Sequence, residues 1–95
     1  MKIIELDLTG CKYMAEIHEK IRVAFGFSRD YGCNWDAFWD FLWSECDADQ
    51  VVIKGEYSLS KEFDKPLSKM HEALEDNIKF RKDNNLAPFS YKIIN

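Results

Sequence analysis

The sequence has no apolar run approaching the ~18 residues that a membrane-spanning helix requires, and its N-terminus alternates Leu6, Asp7 and Leu8 instead of joining a basic region to an apolar block. That pattern predicts a soluble, cytoplasmic protein with no signal peptide and no membrane span. Cysteine is scarce and odd in number: Cys11, Cys33 and Cys46 lack a paired spacing such as C-x-x-C, which fits reduced thiols better than a disulfide framework or a metal site. Only four glycines and two histidines are present, and no glycine-rich loop could cradle a phosphate. No cofactor and no metal is expected.

Basic residues are missing altogether from Asp30 to Gln50. Six acids (Asp30, Asp36, Asp40, Glu45, Asp47 and Asp49) give that segment a charge of −6, while the whole chain carries −4, so the remainder is slightly basic. A nucleic acid or an anionic membrane demands basic surface, so neither is expected as a partner, whereas a cationic protein suits this polarity. An ordinary solvated face would also account for a run of charge.

Ninety-five residues suit one domain over 1–95, burying about 60% of its unfolded surface, and a hydrophobic share of 46% with 15% aromatics fits a packed globule. Lys2 to Leu8 mixes an apolar pair with alternation, as a strand buried on one side would (β1). Met14, Ile17, Ile21, Ala24 and Phe25 recur at helical spacing over 12–25 (α1), with Gly26 where a left-handed C′ residue belongs. A second helix is predicted over 34–46 (α2), then a β-branched strand over 51–55 (β2) and a short helical turn over 58–63. Pro66 opens a helix continued by Leu67, Met70, His71, Leu74, Ile78 and Arg81 or Lys82 (α3), and 89–94 forms the last strand (β3). Helical connections between successive strands favour parallel pairing. The expected fold is α/β, a three-stranded parallel sheet packed with helices.

The stretch Asp30-Tyr31-Gly32-Cys33-Asn34-Trp35-Asp36-Ala37-Phe38-Trp39-Asp40-Phe41-Leu42-Trp43 carries most of the functional information. Asn34 is the expected N-cap, its side chain accepting from the amide of Asp36 or Ala37. Asp36 and Asp40 then share a face, one turn and about 6 Å apart in height. Two carboxylates at that pitch resemble successive phosphates of a nucleic-acid strand. The tryptophans at 35, 39 and 43 could be core, but both faces of α2 cannot be buried in so small a protein. Ionised carboxylates are seldom buried unpaired, which makes Phe38, Phe41 and Leu42 the inward set and leaves Trp39 and Trp43 toward solvent. Exposed tryptophan beside acid is typical of interface hot spots. His18 and His71 fall near apolar stripes and read as structural. Cys33 beside a helix N-terminus could have a lowered pKa, yet no base is identifiable by spacing and Asp36 would oppose a thiolate.

In Tyr31-Gly32-x-Asn34-x-Asp36-Ala37-x-Trp39-Asp40-x-Leu42 the sequence resembles the barstar family of ribonuclease inhibitors, and the likeness extends to Ile17-His18-Glu19 and to the terminal strands. The resemblance implies a non-enzymatic inhibitor whose second helix plugs the active site of a small, basic, secreted ribonuclease. It places Asp40 where a substrate phosphate would bind, Asp36 against basic residues at the rim, and Trp39 along that rim. Tyr31 and Trp43 are expected to add contact area, with Asp30 and Asn34 beside them. Three departures stand out: Asp30 replaces an aromatic, Trp43 replaces a small hydroxyl, and Lys79, Arg81 and Lys82 occupy the region where the last helix of the family contributes an acid. Asp76 and Asp83 are the available substitutes. The chain is expected to be monomeric when free. A module of the same fold that recognises another basic toxin or nuclease domain is the alternative.

Overall fold

The computed structural model describes residues 2–94. Strand β1 spans Ile3–Asp7, helix α1 Met14–Phe25, helix α2 Trp35–Ser44 and strand β2 Gln50–Lys54; short 3-10 turns at Glu56–Ser58 and Lys61–Phe63 lead into helix α3, Asp64–Asp83, and strand β3, Ser90–Ile94. The sheet order is β1-β2-β3 with both pairings parallel, as the helical crossovers require. Ile4 aligns with Val51 and Tyr91, and Leu6 with Ile53 and Ile93. In β1 and β2 these residues are buried while their neighbours face outward, so the sheet packs on one side only. The outward side is solvated, and there the Lys54 ammonium pairs with Glu5.

Each helix contributes one stripe to a common core. Ile17, Ile21 and Phe25 come from α1, Phe38 and Leu42 from α2, and Leu67, Met70, Ala73 and Leu74 from α3. Helix α1 starts at Met14, two residues later than the periodicity suggests. The reason is local: the Glu16 carboxylate accepts from the amides of Lys12 and Tyr13 at 2.9 and 3.2 Å and holds both outside the first turn. Helix α3 starts two residues earlier than expected, at Asp64, which still leaves Pro66 within the first turn, where its missing amide costs nothing. Gly26 takes the left-handed C′ position at φ 70°, with its amide and that of Phe27 closing α1 onto Val23 and Arg22. Gly55 is obligatory after β2: it sits at φ 84°, and a Cβ there would lie 2.3 Å from the Thr9 backbone nitrogen. Among the described residues no helix is long and apolar enough to cross a membrane.

Candidate protein-binding face on helix α2

The loop before α2 is held from inside. Phe27 and Tyr31 are both buried, their rings 5.5 Å apart, and each packs edge-on against Phe41 at 5.2 and 5.4 Å. The Tyr31 hydroxyl is hydrogen-bonded to His18 Nδ1 at 2.7 Å in the core, and burial raises the phenol pKa far above its usual range, so the hydroxyl stays neutral. Tyr31 was expected as contact surface. The structure corrects this: at 4% exposure it anchors the loop instead of facing outward. From that anchor Cys33 enters the left-handed region at φ 53°, and Asn34 caps the helix, its Oδ1 accepting from the Ala37 amide at 2.8 Å and its Nδ2 donating to the Gly32 carbonyl at 3.1 Å. Asn34 is therefore the cap the sequence suggests.

Helix α2 then sorts its side chains by azimuth. Phe38 and Leu42 are fully buried, while Phe41 is only half-buried, lying over the Phe27 and Tyr31 rings instead of entering the core with them. Trp35 is half-buried against His18, ring centroids 4.5 Å apart, which uses it as packing. Asp30, Asp36, Asp40 and Trp43 are exposed, and Trp39 lies half-buried between the two situations. The tryptophan stripe does not simply face water. It leans onto α3, with Trp39 and Trp43 4.2 Å apart and Trp43 stacked on Phe80 at 4.0 Å and 18°.

This packing creates two shallow grooves along the α2–α3 seam. One is lined by Trp35, Asp36, Trp39, Lys69, Glu72 and Asp76 among others, and the next by Trp39, Trp43, Asp76, Lys79, Phe80 and Asp83. Trp39 and Asp76 belong to both. Asp76 thus shares a groove with Asp36 of α2, a placement that α3 periodicity alone cannot supply because it depends on which helix α3 meets. Phe80 carried a readable signal: it is the aromatic that falls off the apolar stripe of α3.

The carboxylates lining these grooves, together with Asp40 on the exposed side of α2, differ from most of the others in the molecule. Elsewhere acids are commonly engaged within the fold: Asp7 accepts from Thr9, Glu19 from Arg22, Glu45 from Ser28, Asp47 from Lys2, Glu56 lies 2.8 Å from His71 Nε2, and Glu75 accepts from Tyr91. Among the described residues, no hydrogen bond or ion pair engages the side chains of Asp36, Asp40, Asp76 or Asp83. Basic charge on α3 is partly withdrawn from the surface. The Arg81 guanidinium donates to the carbonyls of Cys46 and Ala48 at 2.9 and 3.3 Å and stacks over Phe89, tying the turn after α2 to the segment before β3. Lys69 and Lys79 are the cations that line the seam itself.

Among the described residues, His18 is hydrogen-bonded to Tyr31 and His71 to Glu56, while the exposed Cys33 thiol bonds to the Tyr31 carbonyl and to neither histidine. Burial raises the pKa of Cys11 and of Cys46, which keeps them as inert thiols. Among the described residues no group of three or more His, Cys, Asp or Glu side chains could hold a metal ion. Compared with known families, residues 1–91 match the model described as Barstar (barnase inhibitor). A search of curated proteins finds none that matches.

Proposed function

The chain belongs to the barstar family of barnase inhibitors, and from that membership we propose that it inhibits a small, basic, secreted ribonuclease by laying the α2–α3 seam across the enzyme's active site. The observation that carries this reading is a set of exposed carboxylates on α2 and the adjoining face of α3 that have no partner among the described residues, in a protein whose other acids are mostly paired internally. Asp40 takes the place of an RNA phosphate among the enzyme's cations, and Asp36 pairs with basic residues at the rim. A buried cation on the partner that loses such a carboxylate is left uncompensated, which is how one aspartate can dominate an interface.

Trp39 and Trp43 supply apolar area beside the charges, and Asp76 adds a carboxylate from α3. Tyr31 and Asn34 act one step back, by fixing where α2 starts and hence where Asp36 and Asp40 point. Asp30, exposed at the loop before them, extends the acidic rim. Protection of a producing cell from its own nuclease places the inhibitor in the cytoplasm, acting as a monomer and needing no cofactor.

Inhibition by phosphate mimicry must compete with RNA. Titration of a barnase-type ribonuclease with this protein at increasing RNA concentration is expected to show an apparent inhibition constant that rises linearly with substrate. An inhibition constant that ignores substrate concentration would place the contact away from the active site.

A further inference from the structure

Strand β3 pairs only with β2, and among the described residues nothing pairs with its other edge. The Ser90 amide donates to the Asp49 carbonyl, so by the alternation of a parallel ladder Ser90 and Lys92 turn their backbone groups toward β2. The amides and carbonyls of Tyr91 and Ile93 therefore point to the free edge. Both residues also stand on the inward face of the sheet, level with Val51 and Ile53, which are fully buried. Helix α3 reaches Tyr91, whose hydroxyl donates to the Glu75 carboxylate at 2.9 Å, but Ile93 is left 43% exposed. The other edge of the sheet has no such gap, because Ile4 and Leu6, the inward residues of β1, are buried. Phe89, which precedes β3, lines a mainly apolar groove of about 450 Å³ with Ile78, Pro88 and the exposed Leu86, and Lys82 stands in the same lining. We propose that the free edge of β3 is a docking site for an extended segment of a second protein, which adds to the sheet as a fourth strand with apolar side chains toward Ile93 and the groove and an acidic side chain beside Lys92.

An edge strand offers a partner a row of unpaired main-chain groups, and the side chains on its two faces decide what that partner carries. On the inward face, an apolar residue opposite Ile93 removes from water an isoleucine that the fold leaves partly uncovered. On the outward face the neighbour is Lys92, which is exposed and makes no ion pair among the described residues. An acid opposite it completes a favourable cross-strand pair, and Lys82 at the groove adds a second cation of the same preference. A second copy of this chain is a poor occupant. Antiparallel pairing of β3 with itself in the register that sets Tyr91 opposite Ile93 also sets Lys92 opposite Lys92, and like charges directly opposite are destabilising. The groove at β3 shares no lining residue with the grooves of the α2–α3 seam. The site therefore does not rest on the inhibitor reading, and it leaves that seam open to a nuclease at the same time.

The test titrates an acetylated, amidated octapeptide of alternating valine and glutamate into the isotope-labelled protein and follows the backbone amides by NMR. Saturable shifts centred on Tyr91 and Ile93 are expected, with slowed hydrogen exchange at both amides as they gain acceptors. The same peptide with lysine in place of glutamate is expected to bind about tenfold more weakly, and Lys92→Glu to reverse the preference between the two. Ile93→Thr keeps a β-branched residue at the edge and is expected to weaken the acidic peptide about threefold while the melting temperature stays close to wild type. Equal affinity for the two peptides, shifts centred on the helices instead of β3, or no saturable shift up to ~1 mM peptide overturns the site. So does protection of the Tyr91 and Ile93 amides that rises with protein concentration in the absence of peptide, since the edge is then taken by a second copy. Peptide binding at β3 by a protein that inhibits no ribonuclease keeps the site and retires the inhibitor reading.

Discussion

Asp36 and Asp40 stand one turn apart on the same face of α2 with no cation of their own, a like-charge spacing that costs an isolated helix a few tenths of a kcal/mol. The fold tolerates that cost because both groups remain in water. His18 illustrates the opposite situation, a titratable group taken out of water and held by one hydrogen bond to Tyr31. Burial lowers its pKa from the ordinary 6.5, so the unfolded chain takes up the proton more readily than the native one. Stability from this group is complete above about pH 6.5 and declines as pH falls below that value toward the native pKa, with a slope of at most ~1.4 kcal/mol per pH unit. Denaturant melts from about pH 8 to about pH 5 are expected to show this decline in the wild type and a flatter profile in His18→Gln. Parallel profiles would assign the dependence to other groups. Asp7, Glu19 and Asp47 do not confuse the window, because hydrogen bonds from Thr9, Arg22 and Lys2 lower their pKa values and confine their contribution to more acid conditions.

At the scale of the element, α2 works because its start is fixed. The Asn34 cap and the buried Tyr31 determine where the first turn lies, and the azimuths of Asp36 and Asp40 follow from it. Asn34→Ala is expected to lower stability by about 1 kcal/mol, the usual value of a side-chain cap, and to weaken ribonuclease binding because the first turn carrying Asp36 frays. A thermal melt and an inhibition titration on the same sample check both, and unchanged values in the two would show the cap to be irrelevant. The cap and the capped helix were legible from sequence because each depends on spacing within one segment, and the parallel sense of the three strands was legible because helical connections join them. Contacts between segments were not. Tyr31 sits in a motif that reads as surface, yet the loop turns its ring inward to meet His18, and Phe80 and Asp76 join the candidate site only because α3 packs against α2. Periodicity places Arg81 or Lys82 at the end of the α3 stripe without choosing between them, whereas in the fold the Arg81 guanidinium is committed to the carbonyls of Cys46 and Ala48.

For the whole molecule the dominant feature is uneven charge, −6 between Asp30 and Gln50 against a slightly positive remainder. Such polarity steers a basic partner over distances comparable with the ~8 Å screening length at physiological salt. Association with a barnase-type ribonuclease is therefore expected to slow steeply as salt rises while dissociation changes little, because contacts already desolvated are poorly screened. Stopped-flow association rates that are flat with salt would contradict steering. The family and its three-stranded parallel sheet do not by themselves distinguish phosphate mimicry from another way of covering a cleft. Asp40→Ala does, when its inhibition titration is paired with a thermal melt of the free variant. We predict a loss of at least ~2 kcal/mol in ribonuclease binding with the melting temperature unchanged or slightly raised, since an exposed, unpaired carboxylate beside another acid gives the fold nothing. Wild-type inhibition by Asp40→Ala, or a melt far below that of the wild type, would contradict the assignment of Asp40 as the residue that stands in for RNA phosphate.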